Sequence, residues 1–280
     1  MTIELQDVCC GYGKKEILTG FSTTISSGDI FCLLGPNGIG KTTLFKTILG
    51  FLPLLGGSIT INDGDGPPKN IAELSHQELA RCIGYVPQSH VPPFSFRTID
   101  VIVMGRMARM GAFEQPREKD YTAAWEIMEQ LGILTLGEQN YTELSGGERQ
   151  MALIARALAQ EPGFLMMDEP TSNLDFGNQA VVLRQILKLA GRNLGIIMTT
   201  HYPEHVLLLN SMGSTRVALL KRKGTICEGR ARDILTGANL SETYGVGVAV
   251  MDVPYNDTIL PFCQPILTEE KIKRIKENER

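Results

Sequence analysis

The stretch Gly35-Pro36-Asn37-Gly38-Ile39-Gly40-Lys41-Thr42-Thr43 constrains this chain more than any other. It follows the unbroken apolar run Ile30-Phe31-Cys32-Leu33-Leu34 and precedes Leu44-Phe45-Lys46-Thr47-Ile48-Leu49. The order reads as strand, glycine-rich loop, helix. Glycines on both sides of a four-residue gap let the backbone curl around an anion with its N–H groups inward, and the helix adds its positive end. Lys41 supplies a compact charge for β- and γ-phosphates, and the Thr42 hydroxyl is placed for Mg²⁺. A glycine-rich turn ahead of an ordinary helix is the bland alternative. The complete G-x-x-x-x-G-K-[ST] pattern in a strand-to-helix context favours nucleotide binding over it.

Two more apolar runs end in chemistry. Phe164-Leu165-Met166-Met167 leads into Asp168-Glu169, and Ile196-Ile197-Met198-Thr199-Thr200 leads into His201. Unbroken rather than alternating runs are what strands buried on both faces of a parallel sheet require. Ligands of such sheets collect beyond the carboxyl ends of the strands, so Lys41, Asp168, Glu169 and His201 are expected to converge there. Asp168 can reach a Mg²⁺ ion shared with Thr42, and Glu169 can act as general base on a water attacking the γ-phosphate. Adjacent acids at a strand end can instead cap the next helix. His201 can hydrogen-bond the γ-phosphate and order the water, or it can be structural. His205 follows four residues later, but Pro203 intervenes and the glutamate of a zinc-protease pattern is missing, which argues against a metal pair.

Around these anchors the chain has a readable order. Residues 2 to 28 mix short β-like runs with turn signals and suggest an antiparallel layer rich in hairpins. Within it, Tyr12 in Gly11-Tyr12-Gly13 can stack on a base or cover the edge of that layer. A short strand is expected over Ser58 to Ile61, a surface loop over 62 to 69, a short helix over Leu74 to Arg81, and a strand over Ile83 to Val86 ending at Pro87-Gln88. The loop Ser89 to Phe96, with Pro92 and Pro93, reads as a hinge. From Thr98 to Ala159 the pattern is helical, as a separate subdomain. Near its end, Leu144-Ser145-Gly146-Gly147-Glu148-Arg149-Gln150 combines a capping box with two glycines that leave a helix N-terminus open to phosphate. That is a second anion site in a chain that already has one. Residues 215 to 229 return to β-like alternation with a Lys223-Gly224 turn. The tail from Gly245 is β-like and loop-like, and Thr268 to Arg280 is a charged, helix-compatible run.

Composition narrows the function. The 280 residues suit about two domains, and 43% hydrophobic with 21% charged residues excludes disorder across the chain. A net charge of -4 gives no general reason to expect nucleic-acid binding. The six cysteines form no C-x-x-C pair, so neither a metal cluster nor a disulfide framework is expected. The N-terminus lacks the features of a signal peptide. The most apolar stretch, 180 to 200, is interrupted by Arg184, Gln185, Lys188, Arg192 and Asn193, which excludes it as a membrane span.

Taken together, residues 1 to 245 resemble the nucleotide-binding subunit of an ATP-binding cassette (ABC) transporter. Gly35 to Thr43 is similar to the Walker A loop, Gln88 to the Q-loop glutamine, Leu144 to Glu148 to the signature motif, and Phe164 to Glu169 to the Walker B strand with its glutamate. Ser172-Asn173-Leu174-Asp175 resembles the D-loop, His201 the switch histidine and Tyr12 the adenine-stacking aromatic. Ile39 departs from the family, which usually carries a small residue there. The resemblance implies an α/β P-loop NTPase fold: a RecA-like parallel sheet core with an antiparallel β layer, over 1–89 and 160–244. It implies an inserted helical signature subdomain over 90–159, with 245–280 as an extension. ATP and Mg²⁺ are the implied cofactors, with Thr42, Asp168 and Gln88 on the metal side.

The resemblance also accounts for the second anion site. Two cassettes associate head to tail, so that Ser145, Gly146 and Gly147 of one copy face the γ-phosphate held by the other. A free-standing cassette of this kind usually serves an importer at the cytoplasmic face of the cell membrane. The helical block and Gln88 would then meet a separate permease, with a solute-binding protein as an indirect partner. Thr98 to Arg106 and Ala231 to Leu235 resemble the ATPases of iron-siderophore, haem and cobalamin importers, although Met107-Ala108-Arg109 departs from the aromatic-proline sequence often found there. Importers of another metal or an oxyanion, soluble ABC ATPases of assembly or repair complexes, and a non-hydrolysing regulatory cassette are the alternatives. Glu169 and His201 speak against the last.

Overall fold

Apolar runs bounded by turn residues become strands in a computed structural model that describes residues 1–64, 66–88, 95–111, 114–221 and 224–267. The chain divides into two compact units, Met1–Ile30 with Thr42–Thr199, and Phe31–Lys41 with Thr200–Arg280. Residues 89–94 of the expected hinge Ser89 to Phe96, the Lys223 turn position and the charged run from Thr268 lie outside the described residues.

In the first unit, β1 (Thr2–Tyr12) and β2 (Lys15–Ser26) form a long antiparallel hairpin, joined on the other side of β1 by β4 (Gly56–Asn62) and then β5 (Lys69–Asn70). The strands outrun the short runs visible in sequence because irregularities in β1 after Leu5 let pairing resume toward Tyr12. One face carries Ile3, Leu5, Ile25, Ile59 and Ile61, all buried. The strands β6 (Ile83–Val86), β7 (Phe164–Met167) and β8 (Gly195–Thr200) pair in parallel, Val86 opposite Met167 and Met167 opposite Met198. β7 and β8 are buried along their whole length and β6 at all but Tyr85, which is the physical reason that their apolar runs do not alternate.

Between β6 and β7 the described residues form α3 (Thr98–Val103), a 3₁₀ turn over Met104–Arg109, α4 (Glu118–Leu131) and α5 (Gly146–Leu158). α5 packs against both α3 and α4. Arg106 fastens this block, giving its guanidinium to the Ala159 carbonyl at 3.1 Å, to Glu161 at 2.6 Å and to buried Asp120 at 3.4 Å. α1 (Lys41–Ile48) follows the glycine-rich loop, α2 (His76–Cys82) has a capping box from Ser75 and Glu78, and α6 (Phe176–Ala190) follows β7.

The second unit holds β3 (Ile30–Leu34) beside β9 (Thr215–Leu220), which pairs with β10 (Ile226–Arg230). It also contains α7 (Pro203–Met212), the short α8 (Ala231–Ile234) and α9 (Gly237–Tyr244). The tail is a single hairpin of β11 (Gly247–Tyr255) and β12 (Thr258–Ile266), closed at Asn256, whose φ is 51°. β12 packs on α7, and Cys263 is buried.

Candidate functional site

The glycine-rich loop curls as its sequence demands. Lys41 is 4% exposed and turns back over the loop, donating from Nζ to the carbonyls of Gly35 at 2.7 Å and Pro36 at 3.2 Å. Ile39 sits within this turn, its N–H pointing to the Pro36 carbonyl at 3.4 Å, so the bulky residue is accommodated without opening the loop. Asn37 and Gly38 are exposed. α1 carries no acid of its own in its first turn and has Lys46 in its last, an arrangement that leaves its positive end favourable to an anion.

At the other end of the linear sequence pattern, Asp168 emerges from β7 and is 4% exposed. Thr42 Oγ1 lies 3.4 Å from Asp168 Oδ1. A hydroxyl and a buried carboxylate at the head of a phosphate-loop helix form an all-oxygen donor set suited to Mg²⁺, which accepts one or two protein oxygens and completes its shell with phosphate and water. Thr199 Oγ1 is 2.5 Å from the same Oδ1 and accepts the Glu169 N–H at 2.8 Å. Glu169 itself has φ of 47°, left-handed for a residue with a side chain, and its carbonyl accepts from Ser172 N–H at 3.0 Å and Ser172 Oγ at 2.9 Å. Gln88 Nε2 donates to Glu169 Oε2 at 3.3 Å. The charge of Asp168 also contributes, after burial, to pushing the Tyr85 phenol up to about 12.

The capping box at the head of α5 is present as read. Ser145 N–H donates to Glu148 Oε2 at 2.9 Å and Glu148 N–H returns to Ser145 Oγ at 3.4 Å; hydrogen bonds to the carboxyl from the Ser145 side chain and then from its backbone N–H hold Glu148 below its ordinary range. Ser145 and Gly146 are exposed, whereas Gly147 is buried. A Cβ added at Gly147 would come within 2.3 Å of the Asn178 side chain, which would have to shift. Asn178 is fixed in turn by Asp175, which caps α6 by accepting its N–H and its side-chain amide, each at 2.8 Å. Gly147, Asn178 and Asp175 are thus parts of one packed corner.

In the second unit, the His201 ring lies against Tyr202 at 3.9 Å between centroids and tilted by 39°, and Tyr202 lies against His205 at 4.8 Å and 47°. Burial, then the nearby His201, lowers the His205 pKa to about 4, so this imidazole is neutral at physiological pH. Tyr12 ends β1 with half of its surface exposed. Sequence reasoning singled out neither Thr199 nor Tyr244, whose hydroxyl reaches the His201 carbonyl.

With this geometry in view, the ABC transporter family matches residues 18–172. The chain is 35% identical to a probable iron chelatin transport ATP-binding protein of Helicobacter pylori, over 87% of this chain and 93% of that one. It is 32% identical to the molybdate import ATP-binding protein MolC of Haemophilus influenzae, over 86% and 87% of the two chains. Among solved structures, an inward-facing putative metal-chelate type ABC transporter superposes with a TM-score of 0.83 at 29% identity, covering 95% of this chain and 98% of that one. The chain belongs to the ABC transporter family, as an ATP-binding subunit with the P-loop NTPase fold that hydrolyses ATP in support of transport. No helix among the described residues is long and apolar enough to cross a membrane.

Proposed function

We propose that two copies of this chain, arranged head to tail, drive a separate membrane permease that imports a metal chelate. The observation that carries the catalytic part is the Thr42, Asp168 and Glu169 cluster. A buried carboxylate lies within reach of the phosphate-loop hydroxyl, with the next residue, Glu169, held by its own backbone. Lys41 and the N–H groups of Gly38 to Thr43 hold the phosphates, and Tyr12 stacks on the adenine. Thr42 and Asp168 hold Mg²⁺, which neutralises charge on the β- and γ-phosphates when bound. Gln88 joins the metal side when its present hold on Glu169 is released. Glu169 takes a proton from the attacking water, which His201 orients. Ser145, Gly146 and Gly147 of the second copy close over the γ-phosphate at the positive end of α5. Loss of that phosphate removes the bridge between copies, and the difference in affinity between the two nucleotide states drives the cycle.

The permease docks on the first unit, where an open groove of about 340 Å³ is lined by Leu49, Phe51, Leu79, Tyr85, Met104 and Arg156. Phe51 stands 59% exposed at its rim, edge-on to Tyr85. An apolar floor with an arginine suits a short amphipathic helix of a partner. In this arrangement 90–159 is the helical segment that responds to the permease, 1–89 with 160–244 is the nucleotide-binding core, and 245–280 is an extension. The assembly sits at the cytoplasmic face of the membrane.

The iron chelatin relative and the metal-chelate transporter support a chelate as solute, whereas the molybdate relative supports an oxyanion as the second reading. Stimulation of the reconstituted complex by its binding protein loaded with a ferric chelate or with molybdate separates them. For the catalytic assignment, Glu169→Gln retains ATP, accumulates as a dimer on size exclusion, and hydrolyses about 10²- to 10⁴-fold more slowly. Unchanged steady-state phosphate release would remove Glu169 from the role of base.

A further inference from the structure

Thr199 is wholly buried at the end of β8, one residue short of the strand terminus. Its hydroxyl has a single orientation. Asp168 Oδ1, 2.5 Å away, can only accept when ionised, so the hydroxyl proton points to it and a lone pair is left for the Glu169 N–H at 2.8 Å. The first bond fixes the rotamer of the carboxylate whose same oxygen faces Thr42. The second helps hold Glu169 in a left-handed conformation that residues with side chains adopt only when their surroundings impose it. One side chain therefore acts on both members of the acid pair, and it does so from the neighbouring strand.

We propose that Thr199 is a positioning residue that sets the Mg²⁺-side carboxylate of Asp168 and the backbone of Glu169 through one hydroxyl. The inference rests on the roles given above to Asp168 and Glu169. Valine has the shape of threonine without the hydroxyl, and serine has the hydroxyl without the methyl group, so the two substitutions separate packing from hydrogen bonding.

Hydrolysis is measured on the full-length chain carrying Thr199→Val or Thr199→Ser. Mn²⁺ binding, followed by the loss of its free electron-paramagnetic signal, is measured with ATP in the Glu169→Gln background. Thr199→Val is expected to lower kcat about tenfold with KM for ATP changed less than about twofold, and to weaken Mn²⁺ binding about fivefold. Thr199→Ser stays within about twofold of native in both assays. Native kcat and native Mn²⁺ affinity in Thr199→Val, or equal losses in Val and Ser, would overturn the proposal. Should the valine chain not fold, Thr199→Ala takes its place in the same comparison. Asp168→Asn keeps the two levels apart. Undiminished Mn²⁺ binding in it overturns the role of Asp168, and loss there beside native behaviour in Thr199→Val overturns the role of Thr199 alone.

Discussion

Tyr244, at the C-terminal end of α9, donates its hydroxyl to the backbone carbonyl of His201 at 3.1 Å, across 43 residues of sequence. Burial, and then the charge of Glu204, push the phenol well above its ordinary range, so it remains a donor at any working pH. The contact anchors the turn between β8 and α7 on which the histidine sits, while Tyr202 covers its ring.

Tyr244→Phe keeps the ring and removes only this donor. A neutral hydrogen bond of this kind stabilises by about 1 kcal/mol, so kcat is expected to fall roughly fivefold with KM for ATP unchanged. In a His201→Ala background the same substitution is expected to lower kcat no further, because the backbone contact remains but there is no imidazole left for it to place. Additive losses in the double variant would show that Tyr244 acts elsewhere.

Gly105 has a packing role that its place in a family-like segment does not announce. A Cβ there would lie 2.0 Å from the Arg156 carbonyl and 3.0 Å from the Ala159 methyl group. Both belong to the backbone region against which the 3₁₀ turn over Met104–Arg109 is pressed. Gly105→Ala is expected to destabilise the chain by about 1–3 kcal/mol in urea unfolding while leaving ATP affinity of the folded protein intact. An unchanged unfolding midpoint would mean that the helical block yields more readily than its geometry implies.

His205 makes stability depend on pH. The folded chain keeps it neutral down to about pH 4, whereas its ordinary pKa is 6.5. Between these values only the unfolded chain binds the proton, so stability is lost as pH falls through 6.5 toward 4. At pH 5 the loss amounts to about 2 kcal/mol. His205→Gln removes this dependence, and the stability gap between native and variant chains should narrow by that amount between pH 7.5 and pH 5. A constant gap would mean that the imidazole is protonated in the fold.

β6 and β7 are readable from sequence because each is a short apolar run with a clear stop. β7 ends at Asp168, and β6 stops before Pro87. The capping box of Ser145 and Glu148 is equally legible, since both partners lie within four residues. Thr199 is not legible in this way. Its role depends on the register that sets Met198 against Met167, a property of two strands about thirty residues apart in the chain. Tyr244 is hidden for the same reason. The hairpin of β11 and β12 is obscured by Pro254, Pro261 and Pro265, which mark loops in most contexts but are tolerated in a two-stranded ribbon with open edges. Gly105 and Arg106 are visible as a family-like pair, but their work in packing the helical block is visible only once α5 is in place.

The head-to-tail arrangement is tested most directly by mixing two inactive chains. Lys41→Ala disables the phosphate loop and Ser145→Arg blocks the signature end of α5. In a mixed dimer one site carries both defects and the other carries neither. Steady-state ATP hydrolysis of the mixture, well above that of either variant alone, is the expected result. A mixture that demonstrably forms dimers yet stays as inactive as its parents is incompatible with a site shared between two copies.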